Sequence, residues 1–168
     1  ASLVLVPTRE LAIQVAREIK DLGCDTPLRI VPVYGGQRIT AQAPKLEKGP
    51  EIIVGTPGRV MDLHDRRMLP YNSIKMAVLD EVDRMLDIGF RDDIRKILGS
   101  MKQRPQTIFV SATISSAAMT LFQCLTGDGW SEVMADSMID ESSSSFTVGV
   151  PKRKRKRKRK RKRKRKRK

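Results

Sequence analysis

The sequence predicts an α/β domain built on a doubly wound parallel sheet. Three observations carry this reading. Short apolar runs alternate with segments whose apolar residues recur at helical spacing. Each run stops at a cluster of hydroxylated, glycine or acidic residues. At 168 residues the chain can bury one sizeable core. Apolar runs separated by helices imply parallel strands joined by right-handed crossovers.

Ser2-Leu3-Val4-Leu5-Val6 reads as a buried strand, closed by Pro7 and Thr8. From Arg9 the period changes: Leu11, Ala12, Val15, Ala16, Ile19 and Leu22 form a helical stripe that Gly23 ends. A second strand covers Arg29 to Tyr34 and runs into Gly35-Gly36. In the polar segment that follows, Pro44 would cost about 3 kcal/mol inside a helix, so a break or a late helix start is expected there. Glu51-Ile52-Ile53-Val54 is the third strand, and Thr56-Pro57-Gly58-Arg59 opens a helix with an N-cap threonine and a proline at its first position. Met76-Ala77-Val78-Leu79 is a fourth strand, expected to be buried on both faces. After Gly89 an amphipathic helix shows Phe90, Ile94, Ile97 and Leu98; Gln106 to Val110 is the fifth strand, ending at Ser111-Ala112-Thr113. A last helical stripe takes in Ala117, Ala118, Leu121, Phe122 and Leu125, so the domain is expected over residues 1–125. Residues 126–151 read as a linker or disordered segment, and residues 152–168 as a low-complexity tail that cannot bury a core.

The net charge of +15 belongs to that tail: residues 152–168 supply 17 of the 34 basic residues, leaving 17 against 19 acidic ones, a net of −2, in residues 1–151. Inferences from global charge are therefore inferences about the tail. Its Lys-Arg alternation admits three readings: a nuclear address, a non-specific nucleic-acid tether, or a translated simple-sequence repeat. Cys24 and Cys124 show no Cys-x-x-Cys spacing, which fits a reducing compartment and neither a zinc site nor a disulfide framework. His64 has no partner at ligand spacing and reads as a solvent-facing helix residue. No apolar run approaches the ~20 residues of a membrane span, no signal peptide heads the chain, and the expected setting is intracellular, nucleus or cytoplasm.

The run ending in Asp80-Glu81-Val82-Asp83 carries the chemistry. A buried strand delivers Asp80 and Glu81 to its carboxyl end, where open α/β sheets bind ligands. One carboxylate can hold Mg²⁺ through its water shell while the other orients an attacking water, the needs of phosphoryl transfer. Acidic residues at a strand end also mark ordinary helix starts.

Taken together, Pro7-Thr8-Arg9-Glu10-Leu11-Ala12, Gly35-Gly36, Thr56-Pro57-Gly58-Arg59, Asp80-Glu81-Val82-Asp83 and Ser111-Ala112-Thr113 stand in the order of the DEAD-box RNA helicase motifs, and the chain resembles the first RecA-like domain of that family over residues 2–125. The resemblance implies an ATP-dependent RNA helicase. It implies that Asp80 contacts Mg²⁺ through water, Glu81 positions the hydrolytic water, and Asp83 bonds within the motif network. Ser111 and Thr113 would tie those carboxylates to the RNA-holding surface. Pro7, Thr8, Arg9 and Glu10, Gly35 and Gly36, and Thr56, Pro57, Gly58 and Arg59 would grip single-stranded RNA through its backbone, without reading sequence. Taken alone, Thr8, Thr56, Ser111 and Thr113 also suit plain helix caps, and Gly35-Gly36 a plain turn.

Three departures qualify the resemblance. Val82 stands where the family usually has Ala, with overpacking near the nucleotide expected to cost roughly 1–3 kcal/mol. No Gly-x-x-x-x-Gly-Lys-Thr phosphate loop and no adenine-reading glutamine segment occur in the sequence; both are expected upstream of Ala1, together with the strand that carries the loop. The second RecA-like domain and its arginines are expected in the parent protein. The chain alone is accordingly expected not to hydrolyse ATP. The alternative is an RNA-binding or interaction protein without turnover.

Overall fold

The computed structural model describes residues 1–103, 105–113, 116, 118, 120 and 121, and the strands at 130–135 and 145–151. Five strands run parallel: β1 (Ser2–Leu5), β2 (Ile30–Val33), β3 (Ile52–Gly55), β4 (Met76–Leu79) and β5 (Gln106–Ser111). Their spatial order is β2-β3-β1-β4-β5, so β1 sits at the centre, with β3 on one side and β4 on the other. Consecutive strands are joined by helices, as the alternation predicts: α1 (Arg9–Leu22), α2 (Ile39–Glu47), α3 (Pro57–Asp65), then α4 (Val82–Ile88) and α5 (Arg91–Gly99).

The pleat sorts strand residues to two faces. Leu3, Leu5, Val31, Val33, Ile53, Leu79 and Phe109 face a core shared with Leu46 of α2, Val60 and Leu63 of α3, Val82 and Met85 of α4, and Ile94 and Ile97 of α5. Val4, Val6 and Val54 face the other way, onto Ala12 and Ala16 of α1. Helices on both faces make the sheet doubly wound. Gly55 allows the close approach of α3: a Cβ there would lie 2.5 Å from Val33 Cγ2 and 2.7 Å from Val60 Cγ2.

Several expectations change. Only Ala77 and Leu79 of β4 are buried, while Met76 and Val78 are half-buried, because α1 packs over the β2–β3 half of the sheet and leaves its face of β4 less covered. Helix α2 runs through Pro44 rather than breaking there; burial of Gln42, Ala43 and Leu46 around the proline offsets the lost backbone bond. His64 is half-buried, stacked on Tyr71 at 3.7 Å with Nδ1 2.9 Å from the Leu69 carbonyl. Val82 is 1% exposed and lies in the main core, as the first residue of α4 just past the end of β4.

The segment 126–151 also differs. Strands β6 (Trp130–Ala135) and β7 (Ser145–Pro151) form an antiparallel pair, and β7 adds antiparallel to β5, from Thr107 opposite Gly149 to Ser111 opposite Ser145. The reason is the open edge of β5, whose backbone groups need partners, and the β-branched and aromatic residues of Phe146-Thr147-Val148 supply a strand. Residues 116, 118, 120 and 121 are helical; the rest of the last stripe, Cys124 and the tail at 152–168 lie outside the described residues.

Candidate functional site

Because β1 to β5 are parallel, their carboxyl ends open on one rim. The strand order fixes the sequence of loops along it: Gly35-Gly36, then Thr56 to Arg59, then Pro7 to Glu10, then Asp80 to Asp83, then Ser111 to Thr113. The groups expected to grip RNA are thus contiguous on one half, and the carboxylates and hydroxyls on the other.

Asp80 follows β4, and its backbone N–H is fixed to the Leu5 carbonyl at 2.9 Å. Its Oδ1 accepts the Glu81 N–H at 3.0 Å. Burial, opposed by that N–H and reinforced by the charges of Glu81 and Glu18, raises its carboxyl above the ordinary range. Glu81 caps α4 with φ 52° and ψ 53°, a left-handed conformation that costs a non-glycine residue about 1–3 kcal/mol. Its carboxylate stays on the rim beside Arg84, with Nη1 3.3 Å from Oε2, and both side chains are well solvated.

Asp83 is the hub. Its N–H donates to Ser111 Oγ at 3.2 Å, and its Oδ2 accepts the Thr113 hydroxyl at 2.9 Å and the Thr113 N–H at 3.1 Å. Ser111, itself buried, donates onward to the Thr113 carbonyl at 2.8 Å. Burial pushes the Asp83 carboxyl up, but the Thr113 hydroxyl and the Arg84 and Thr113 amides outweigh it and hold the group below the usual carboxylate range. The end of β5 is thereby tied to the first turn of α4. The Thr113 hydroxyl meets the Asp83 carboxylate, and the Ser111 hydroxyl links the Asp83 N–H to the Thr113 carbonyl.

On the other half, Pro7 is buried and Thr8 caps α1, its Oγ1 accepting the Leu11 N–H at 3.2 Å. Arg9 is exposed, 3.7 Å from Glu10 and 5.9 Å from the centroid of the Tyr34 ring. A Cβ on Gly35 would meet nothing within 4 Å, and Gly36 adopts φ +81°. Thr56 caps α3 by backbone geometry, with no bond from its hydroxyl; Pro57 is buried at the first helical position and Gly58 is open. Arg59 differs from its neighbours. Its side chain is 11% exposed, and Nη1 donates to the Gln37 carbonyl at 2.9 Å, so it braces the Gly35-Gly36 loop from within.

Sequence reasoning missed Gln42 and Arg84. Gln42 is 2% exposed and bonds both backbone groups of Tyr34, a role that only the folded α2 reveals. Arg84 sits three residues from Glu81 on a helix whose start the sequence did not mark. Among the described residues no group of three His, Cys, Asp or Glu side chains could hold a metal, and no helix is long and apolar enough to cross a membrane. A single carboxylate with one oxygen engaged fits an ion held mostly by water and phosphate oxygens.

Five parallel strands, helices on both faces and motif loops along one carboxyl rim define an open RecA-like α/β domain. Comparison with known proteins narrows this. The family model for the DEAD/DEAH box helicase matches residues 1–121. The DEAD-box ATP-dependent RNA helicase CshA of Bacillus subtilis is 47% identical over 113 residues, covering 67% of this chain and 23% of that protein. The RNA helicase CrhR of Synechocystis is 50% identical over a similar stretch, 67% of this chain and 23% of its own length. A DEAD box protein from Methanococcus jannaschii superimposes with a TM-score of 0.72 at 41% identity, over 76% of this chain and 35% of that one. The yeast DEAD-box splicing factor Prp28 gives 0.67 at 28% identity, over 71% and 29%. This chain belongs to the DEAD/DEAH box helicase family and carries its N-terminal RecA-like domain. It spans about a quarter of the length of these curated relatives.

Proposed function

We propose that the chain is the RNA-gripping and water-orienting part of an ATP-dependent RNA helicase. The observation that carries this reading is the Asp83–Ser111–Thr113 network, which joins the acidic loop to the end of the neighbouring strand on the same rim as the three glycine and threonine loops.

Single-stranded RNA lies along Gly35-Gly36, Thr56 to Gly58 and Thr8-Arg9, where two helix N-termini and open glycines offer backbone N–H groups to phosphates. Contacts of this kind read the sugar-phosphate backbone and leave base sequence unread. Pro7 and Pro57 fix the entries to α1 and α3, and Arg59 holds the adjoining loop. Bound ATP and Mg²⁺ supply the phosphoryl group and the countercharge. Asp80, with one oxygen engaged by the Glu81 N–H, would be the carboxylate that holds the ion, and Glu81, whose contact with Arg84 is weak and solvated, would be free to orient an attacking water. Asp83 reports any displacement of Ser111 and Thr113 to the first turn of α4, which links the RNA half to the carboxylates.

The sequence carries no Gly-x-x-x-x-Gly-Lys-Thr run, so this part by itself is expected to bind RNA without turning ATP over. A second RecA-like domain completes the site in the whole protein. The basic run at 152–168 adds a salt-sensitive, non-specific hold on nucleic acid, and as a polybasic address it favours the nucleus. The test is to measure binding of single-stranded oligoribonucleotides and phosphate release with the purified chain. Affinity should follow RNA length rather than base sequence, with release at background whether or not RNA is present. RNA-stimulated release would overturn the division of labour, and loss of binding on changing the bases alone would overturn backbone recognition.

A further inference from the structure

We propose that Gln42 is the positioning residue that sets the Gly35-Gly36 loop for RNA, an inference that rests on the reading of that loop as an RNA grip. Gln42 is a polar side chain 2% exposed on the first half of α2, and three hydrogen bonds account for it. Its Oε1 accepts the Tyr34 N–H at 3.2 Å, its Nε2 donates to the Tyr34 carbonyl at 3.1 Å, and the same nitrogen donates to Gln37 Oε1 at 3.3 Å.

The first two bonds reproduce what a neighbouring strand would do. Strand β2 lies at the edge of the sheet and, among the described residues, pairs with β3 alone. Val33 is turned toward β3, its carbonyl accepting the Thr56 N–H at 3.1 Å, so in a pleated strand Tyr34 presents its N–H and C=O to the opposite, open side. The Gln42 amide meets both groups there, as one residue of a ladder meets another. It fixes the chain at the last position before Gly35, where glycine flexibility would otherwise leave the loop direction unset.

Two further contacts show that the loop is braced as a unit. The Arg59 guanidinium holds the Gln37 carbonyl at 2.9 Å on the exit side, and Arg9 lies over the Tyr34 ring at 5.9 Å, with Nη1 3.5 Å from where a Cβ on Gly36 would sit. Gln42 thus acts through Tyr34 and Gln37 on a loop whose neighbours, Thr8-Arg9 and Thr56-Arg59, share the same rim. A loop ordered before RNA arrives does not lose its freedom on binding, and that is the route to tighter binding. A buried, fully satisfied amide is suited to such a role because it specifies one geometry.

The test uses the full chain and follows RNA binding at the amide resonances of Thr8 and Gly58, so that binding by the basic tail does not enter the isotherm. Gln42→Leu keeps the volume and removes all three bonds. The expected result is about tenfold weaker binding of single-stranded RNA, with faster hydrogen exchange at Tyr34, Gly36 and Gln37 and unchanged resonances in β1 and α5. Wild-type affinity together with faster exchange at Tyr34 would overturn the proposal and leave Gln42 a strand-end cap. Gln42→Glu is the isosteric control should the leucine variant not fold. Only its protonated form can both donate to the Tyr34 carbonyl and accept from the Tyr34 N–H. RNA affinity relative to wild type should therefore rise as pH falls from 8 to 5, and a constant ratio would count against the proposal. Arg9→Ala separates the two levels. If it leaves binding unchanged, the RNA reading of the rim fails; if it weakens binding while both Gln42 variants do not, only the positioning role fails.

Discussion

Asp80 and Asp83 lie three positions apart, and the fold moves their carboxyls in opposite directions. Asp83 is held below the ordinary range, so its ionised form favours the folded state. That contribution is complete above the unfolded aspartate value of 3.8 and is lost as pH falls through the lower folded value. Asp80 is raised, so the folded state binds the proton more tightly, and stability falls as pH climbs from 3.8 through the raised value. At neutral pH, Asp80→Asn is therefore expected to raise the thermal midpoint. Asp83→Asn is expected to lower it through a loss of about 1 kcal/mol of stability, the worth of a charge-assisted bond discounted for solvent at Thr113. Paired thermal melts of the two variants check the signs; midpoints that move together would contradict them. Val82 supplies a second check. It fills core space beside Met85, so Val82→Ala should cost about 1–3 kcal/mol in urea unfolding, whereas relief of overpacking would make the variant more stable.

Among the elements, α2 contains a proline its own propensity opposes. Tertiary burial of Gln42, Ala43 and Leu46 holds the helix together, so Pro44→Ala should stabilise the domain by roughly 1–3 kcal/mol, read as a shift in urea midpoint at constant slope. Helices α1 and α5 were legible because apolar residues recur along one face and Gly23 or Gly89 bounds them. The five parallel strands were legible as apolar runs, and their ends as motif clusters. Helix α4 was not, since its start depends on Glu81 taking a left-handed conformation that no local pattern announces. The stack of His64 on Tyr71 and the Gln42 bonds to Tyr34 join separate elements, so composition and spacing could not show them. Arg59 was legible as a motif residue, but its inward role was not, because that depends on where the Gln37 carbonyl falls.

Strands β6 and β7 follow the same logic at the sheet edge. A lone edge of β5 is a template for another chain, and β7 covers it. Val148→Pro removes a ladder donor opposite Ile108 and should promote self-association of the full chain, seen by sedimentation; a variant that stays monomeric would contradict a protective role for β7.

Across the whole molecule, charge and architecture separate the two proposed ways of holding nucleic acid. Residues 1–151 carry a net −2 and the loops proposed to hold RNA, while residues 152–168 concentrate 17 positive charges. The proposed hold by the tail should fall steeply with salt through counterion release, and deletion of residues 152–168 should remove most of the salt dependence and leave a weaker, flatter isotherm. The rim itself is ordered by topology: β1 at the centre brings Thr8-Arg9 between the glycine loops and the acidic loop. Its most direct test is photo-crosslinking of the complete chain to single-stranded RNA carrying 4-thiouridine, with the attachment sites found by mass spectrometry. The expected sites fall at residues 7–10, 35–36 and 56–59. Attachment confined to residues 152–168, or to Lys45 and Lys48 at the opposite end of the strands, would contradict an RNA-gripping rim.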